Sequence, residues 1–266
     1  MTATPATHAS NVTPEPPSPP VNAPSRNLLS PHRSALLLPA RPFTLRTITR
    51  AAALWLVLLV VASWLFCATS LVALRFIDPP TTTLHIQRRI QAWLNDKPYH
   101  PRYTFVPISQ ISPNLQHAVV AAEDARFYQH HGFDWQQIQI AAEQDMDGRR
   151  LRGASTLTQQ LVKNLFFGTS RSILRKGAEF TLVPVAELVL GKRRILELYL
   201  NVVEWGPGVY GAEAASHAWY GVSARNLDRD QAVRLAAILP APLKRHPDRM
   251  NHYASIILER MRQMGW

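Results

Sequence analysis

Residues 51–74 read AAALWLVLLVVASWLFCATSLVAL, a run of 24 positions without a charged side chain. At about 1.5 Å of helix rise per residue, such a run crosses the ~30 Å hydrocarbon core of a bilayer with some tilt. A buried helix of a soluble protein seldom stays this apolar for this long. A cleaved signal peptide would carry a shorter apolar stretch nearer its start. The expectation is one transmembrane signal-anchor helix over 51–74. Arg41, Arg46 and Arg50 precede it and only Arg75 follows closely, with Arg88 and Arg89 further on. That bias places the N-terminus in the cytoplasm and the rest of the chain across the membrane. Cys67, the sole cysteine, follows Trp64-Leu65-Phe66 rather than the small residues that precede a lipid-modified cysteine, so it reads as an ordinary membrane residue.

The span divides the chain into unlike parts. Residues 1–43 are rich in Pro, Ala, Ser and Thr, with Pro14, Pro16, Pro17, Pro19 and Pro20 crowded together. They carry too little apolar surface for a core and are expected to form a disordered cytoplasmic tail. Residues 76–266 hold 23 Lys+Arg against 17 Asp+Glu, so the part beyond the span is basic without help from the tail. A basic surplus points to an anionic partner: nucleic acid, lipid headgroups or a phosphorylated substrate.

Within 76–266 the apolar spacing is helical almost throughout, and few segments alternate with a period of two. Ser112-Pro113 is a helix start, an N-cap with proline at the first helical position. Asp134 is placed to cap a helix reaching 146, Ser155 one reaching about 166, and Ser170 or Ser172 one running towards 190. Pro184 should kink or break that last helix. Further helical patterns cover 194–203, 212–220, 229–239 and 248–264. The expected class is mainly α.

Four stretches carry chemistry. In 118–132, AVVAAEDARFYQHHG, a helical reading puts Glu123 four residues from both Val119 and Phe127, on an apolar face. A carboxylate there is costly to ionise, which is the tuning of a general acid or base near neutral pH. The plainer alternative is a solvated helix charge. His130 and His131 are adjacent and lack the spacing of a metal pair; a structural role at the helix end fits them better. In 153–164, GASTLTQQLVKN, Ser155, Gln159 and Lys163 form one stripe, and Gln160 and Asn164 a second. Leu157, Leu161 and Leu165 take the core side. Neutral hydrogen-bonding groups with one cation suit a sugar and a phosphate, or simply an exposed polar face. In 171–187, Arg171, Arg175 and Glu179 recur every four residues, with Lys176 alongside. This is a salt-bridge ladder, a diphosphate clamp, or both. In 192–211 a helix runs into a loop with Gly206, Gly208 and Gly211. It has neither the spacing of a phosphate loop nor a preceding strand, and tight backbone packing accounts for it.

In this order and spacing the four stretches resemble the glycosyltransferase family 51 enzymes, which polymerise lipid II into peptidoglycan glycan strands. The likeness covers about 111–240. It rests on Glu123-Asp124-x-x-Phe127-x-x-His130-x-Gly132 and on Gly153-x-Ser155-Thr156-x-Thr158-Gln159-Gln160-x-x-Lys163-Asn164. It continues through Arg175-Lys176-x-x-Glu179, Ile195-Leu196-Glu197-x-Tyr199-Leu200-Asn201, and the loop ending Gly211-x-Glu213-x-Ala215. Leu157 stands where Ile is commoner, and Trp219-Tyr220-Gly221 replaces Tyr-Phe-Gly.

The resemblance implies a lysozyme-like fold with a small membrane-facing lobe in the bacterial inner membrane, the catalytic domain being periplasmic. It implies Glu123 and Glu179 as catalytic carboxylates, with inversion at the anomeric carbon and release of polyprenyl diphosphate. Ser155, Gln159, Gln160, Lys163, Asn164, Arg171, Arg175 and Lys176 would bind substrate and diphosphate. Asp124, Phe127, His130, Gly132, Asn201, Gly206 and Gly211 would be structural. No cofactor is tightly bound, although Glu179 could hold a divalent cation, Mg or Mn, against the diphosphate. The partners are lipid II, the growing glycan-polyprenyl diphosphate, the membrane and cell-wall synthesis proteins, with no nucleic acid. A penicillin-binding transpeptidase needs Ser-x-x-Lys, and none of the five lysines has serine three residues earlier; the expectation is a monofunctional transglycosylase. The rivals are a lysozyme-like hydrolase, which has no diphosphate to hold and no use for the basic cluster, and an inactive membrane scaffold.

Overall fold

The structure is a computed structural model that describes residues 45–146, 155–169 and 172–266. The expected tail over 1–43, Gly153 and Arg171 lie outside the described residues. Residues 49–266 form one compact unit; of residues 1–48, only the first turn of helix α1 is described.

Helix α1 (Leu45–Leu74) contains the apolar run. From 48 to 66 every side chain is exposed, Leu, Val, Trp and Phe alike. In water this would be untenable, whereas in lipid it is the expected state of a helix whose backbone is satisfied internally. Its last turns behave differently: Leu71 is fully buried, and Cys67, Ala68 and Leu74 pack on the globular core.

The remainder is mainly α. The helices are α2 (Thr83–Leu94), α3 (Pro113–Glu123), α4 (Trp135–Met146), α5 (Leu157–Val162), α6 (Ile173–Val202), α7 (Ala212–Tyr220), α8 (Arg229–Ile238) and α9 (Asn251–Gln263). A small sheet has the order β1 (Arg102–Tyr103), β3 (Val209–Tyr210), β2 (Glu204–Gly206). β1 runs parallel to β3, pairing Arg102 with Val209, and β2 runs antiparallel to β3 with a register shift between Glu204 and Gly206. The core forms where α3 packs on α8 and α9, and α5 on α6. Leu115, Val119, Phe127, Leu157, Leu161, Leu182, Ile195 and Trp205 fill it.

Several local expectations are met, and others are displaced for identifiable reasons. Ser112-Pro113 starts α3, but the Ser112 hydroxyl donates to Leu227 O (2.9 Å) instead of capping. Asp134 caps α4 by accepting from Gln137 N at 3.0 Å. The cap of α5 is Thr156 rather than Ser155: Thr156 and Gln159 form a reciprocal capping box, and the Thr156 hydroxyl also donates to Gly132 O (2.6 Å). The backbone stays helical through Pro184, and the interruption of α6 falls at Gly191 (φ 71°, ψ 161°), a conformation open to glycine. The stretch 118–132 is not one helix. α3 ends at Glu123, and Asp124 (φ −156°, ψ 73°) turns the chain aside.

Asn201 ties the sheet region to the rest. Fully buried on α6, it imitates a strand partner for Val106, accepting from Val106 N (2.9 Å) and donating to Val106 O (2.9 Å). Gly211 packs against the same residue: at φ +82°, a Cβ there would lie 2.5 Å from Asn201 O. Asn201→Ala strands a buried N–H and a buried C=O of Val106, and is expected to lower stability by about 3 kcal/mol. Denaturant unfolding in detergent should show this as a lower midpoint at unchanged slope.

Candidate active site

The end of α3 is fastened to the start of α5 by Asp124. Its carboxylate accepts from the backbone N–H of Leu157, the first residue of α5, at 3.0 Å, and contacts His130 Nε2 at 2.9 Å. Gly132 N donates to His130 Nδ1 (3.1 Å), so the proton of this imidazole sits on Nε2 and points at Asp124. Gly132 adopts φ +92°, and a Cβ there would fall 2.5 Å from Val183 Cγ1. Phe127 is buried beneath this turn, with the Lys192 ammonium 4.5 Å from its ring centroid. The liganding atoms of Asp124, His130 and Asp134 lie within 4.8 Å of one another. Each is already engaged by the protein, Asp134 by Gln137 N and Arg126. The group braces the turn that follows α3.

This brace sets Glu123 opposite Gln160, one turn into α5. Gln160 Nε2 donates to Glu123 Oε2 at 2.9 Å, and Tyr199 Oη donates to Gln160 Oε1 at 3.0 Å. Burial pushes the Glu123 carboxyl above the ordinary glutamate value, and the neighbouring Asp124 pushes the same way; the Gln160 hydrogen bond and the charges of Lys163 and Arg245 pull it back. A carboxylate at the C-terminal end of a helix also faces the negative end of the helix dipole. Arg260 relieves part of that, donating to the terminal carbonyls of Ala121 (3.2 Å) and Ala122 (3.4 Å). Glu123 lines a cavity of about 550 Å³ together with Ser155, Gln160, Arg126, Arg245 and Arg260.

A cation cluster that does not line this cavity reaches Glu123 through the charge of Lys163. Lys163 opens a single π-helical turn, Lys163–Phe167, a local distortion often found at functional sites. Burial lowers its pKa, as do Arg175 and Lys176, while Glu179 and Glu123 raise it, so one ammonium interacts with both carboxylates. Glu179 is buried, 2.6 Å from Arg175 Nη1 and 3.5 Å from Lys176 Nζ. Arg175 Nε and Nη1 are buried and make no aligned hydrogen bond among the described residues. Such donors suit an arriving anion with several oxygens.

The remaining expected residues take other places. Gln159 is buried and used by the capping box of α5. Asn164 is buried beside the π-helical turn, and Ser155 is exposed at the cavity rim. Gly206 is buried against Trp219, whose ring a Cβ would meet at 3.1 Å. Sequence reasoning missed the roles of Tyr199, Arg245 and Arg260. Tyr199 stood within a recognised motif, but no local signal tied it to Glu123, 76 positions earlier.

The transglycosylase family model matches residues 89–262. The chain belongs to the transglycosylase family. Its mainly α, lysozyme-like architecture is that of this family. Among transglycosylase relatives, a protein named biosynthetic peptidoglycan transglycosylase from Pseudomonas entomophila is 44% identical over 196 residues, covering 72% of this chain and 83% of the relative. One of the same name from Ectopseudomonas mendocina is 43% identical over 227 residues, covering 83% and 91%. Another, from Pseudomonas fluorescens, is 46% identical over 193 residues, covering 73% and 78%.

The raised pKa of Glu123 has a consequence for stability. A carboxyl whose folded value exceeds its unfolded value favours the fold below the ordinary glutamate range and loses that contribution as pH rises through the folded value. Glu123→Gln removes this loss. It should therefore be at least as stable as wild type at pH 8, the difference vanishing below about pH 4. Thermal unfolding at the two pH values checks it; a variant less stable than wild type at pH 8 contradicts it.

Proposed function

We propose that this chain polymerises lipid II into linear glycan strands as a monofunctional peptidoglycan glycosyltransferase. The observation that carries the reading is one desolvated carboxylate, Glu123, which lines a roomy cavity and feels the charge of Lys163, a member of a cluster of under-used cations. Glu123 takes the proton from the 4-hydroxyl of the acceptor sugar. That oxygen attacks the anomeric carbon of the donor from the face opposite the leaving group, so configuration inverts. The bond to the diphosphate breaks, and polyprenyl diphosphate departs with the electron pair. Lys163, Arg175 and Lys176 meet the growing negative charge in a site where burial strengthens the attraction. By sequence spacing alone, four positions before Arg175, Arg171 is assigned to the same task.

Glu179 is best read as the residue that holds these cations apart and aimed. Its two oxygens face Arg175 and Lys176, a surrounding that suits an anionic substrate and does not fit a Mg or Mn ion bound by the protein alone. A hydrolase of uncharged glycosidic bonds would have no use for this cluster.

The chain acts at the bacterial inner membrane, with α1 spanning it, the N-terminus cytoplasmic and the catalytic part periplasmic. Supporting this, α6 runs alongside the end of α1: Trp64 Nε1 donates to Thr181 Oγ1 (2.9 Å) and Arg75 Nη1 to Val189 O (2.8 Å). Beside these contacts Ile173, Leu174, Phe180 and Leu188 are exposed on α6. Leu165, in contrast, is buried, and Phe166 and Phe167 pack partly on the core. The outer leaflet then covers the apolar side of α6, and the same helix carries Arg175 and Lys176 towards the diphosphate of a lipid-borne substrate.

Two outcomes follow. The purified full-length protein should make polymer from lipid II in detergent with penicillin present, and Glu123→Gln should lose at least ~10³-fold; cleavage of finished polymer without synthesis would replace this reading by the hydrolase. Leu174→Asp with Leu188→Asp should lower synthesis in proteoliposomes severalfold more than in detergent, because a bilayer holds that face at a fixed depth whereas a micelle rearranges around a charge; equal effects in both media would refute the membrane contact.

A further inference from the structure

We propose that Tyr199 is a positioning residue which, through the side-chain amide of Gln160, keeps Glu123 oriented and ionised for proton abstraction. The inference rests on Glu123 being the base of the reaction proposed above. It starts from a chain of two hydrogen bonds, Tyr199 Oη to Gln160 Oε1 (3.0 Å) and Gln160 Nε2 to Glu123 Oε2 (2.9 Å). A glutamine amide is nearly symmetric in shape and can present either end to a neighbour. With Nε2 towards Glu123 it donates, which favours the carboxylate. Turned over, it presents Oε1, and only a protonated Glu123 can then complete the bond. The orientation of one amide thus selects the protonation state of the base.

Tyr199 decides between the two. It lies on α6, fully buried, and burial together with the nearby Glu123 and Asp124 holds its phenol far above the ordinary tyrosine range, so it keeps its proton. That proton needs an acceptor, and among the described residues the acceptor is Gln160 Oε1. If the amide turned over, the phenol proton would be left buried without a partner, a costly state. Tyr199 therefore biases the amide towards donating to Glu123, against the burial that favours the neutral acid.

The other groups around Glu123 act by charge alone. Asp124 at the end of α3 disfavours its ionisation; Lys163 on the π-helical turn and Arg245 after α8 favour it. Arg126, Asp134 and Arg260 line the same cavity. None of these fixes a direction for the carboxylate; the Gln160 amide does.

The test is the pH dependence of kcat/KM on lipid II for the full-length protein in detergent. Wild type is compared with Tyr199→Phe, Gln160→Met and the double variant, with a parallel titration of the Glu123 carboxyl by carbon-13 NMR. Tyr199→Phe should move the acidic limb up by about half to one pH unit, a shift equivalent to a three- to ten-fold change in the ionisation constant. Activity lost at neutral pH should return at higher pH, and KM should stay within about twofold. Gln160→Met should shift the limb at least as far, and the double variant no further than Gln160→Met, because Tyr199 acts only through Gln160. A purely structural Tyr199 would lower activity equally at every pH, or add its effect to that of Gln160→Met, and either result overturns the proposal. The NMR titration reads the relay without turnover. An upward shift in Tyr199→Phe upholds it even if wild type made no polymer, a result that would count against the function alone; an unmoved titration overturns the relay whatever the activity.

Discussion

The carboxylate of Asp124 joins two segments that are 33 positions apart, the exit of α3 and the entry of α5. A backbone N–H at the start of a helix lacks an intrahelical partner, and a buried anion is its best acceptor. By supplying that anion Asp124 ends its own helix and begins the other. His130 holds the carboxylate from behind, and the Thr156–Gly132 bond closes the turn. The juxtaposition of Glu123 with Gln160, and through Gln160 with Tyr199, is the geometric result. Without this clamp Glu123 and Gln160 would sit on unrelated surfaces.

The site built on the clamp is held against its own electrostatic preference. Glu123 is desolvated and placed at the unfavourable end of a helix, while Lys163 is desolvated beside two further cations. Each group is kept near ionisation by the others: the carboxylates support Lys163, and Lys163 and Arg245 support Glu123. Such mutual dependence suits the proposed reaction, which moves one proton and expels a diphosphate that gains one negative charge, because both charges appear where a counter-charge already waits. The same desolvation makes the charge on Glu123 a cost to the fold.

Much of this was legible in the sequence, because periodicity and capping are local. The apolar run, the helical content, the Asp134 cap and the leucine side of α5 follow from spacing alone. So does the clustering of Arg175, Lys176 and Glu179 on one turn of helix. What escaped depends on distant partners. A helical reading carried Glu123 into mid-helix, since nothing near Asp124 announces that its carboxylate will cap a helix 33 positions later. The spacing reads Ser155 as the cap of α5, but Thr156 takes that place, where Gly132 offers it a second bond. Pro184 is a sequence-level break, but the backbone interruption fell at Gly191, where a positive φ is cheap. Arg245 and Arg260 come from the segment around α9, and only the packing of α3 on α8 and α9 brings them to the cavity.

The central claim is that Glu123, held ionised within a desolvating pocket, is the general base. The most direct measurement is the carbon-13 titration of its carboxyl in wild type, assigned by its loss in Glu123→Gln, set beside the acidic limb of kcat/KM for lipid II in the same detergent. The account predicts one midpoint for both, above the ordinary glutamate value. A carboxyl titrating at the ordinary value, or a kinetic limb falling elsewhere, would contradict it.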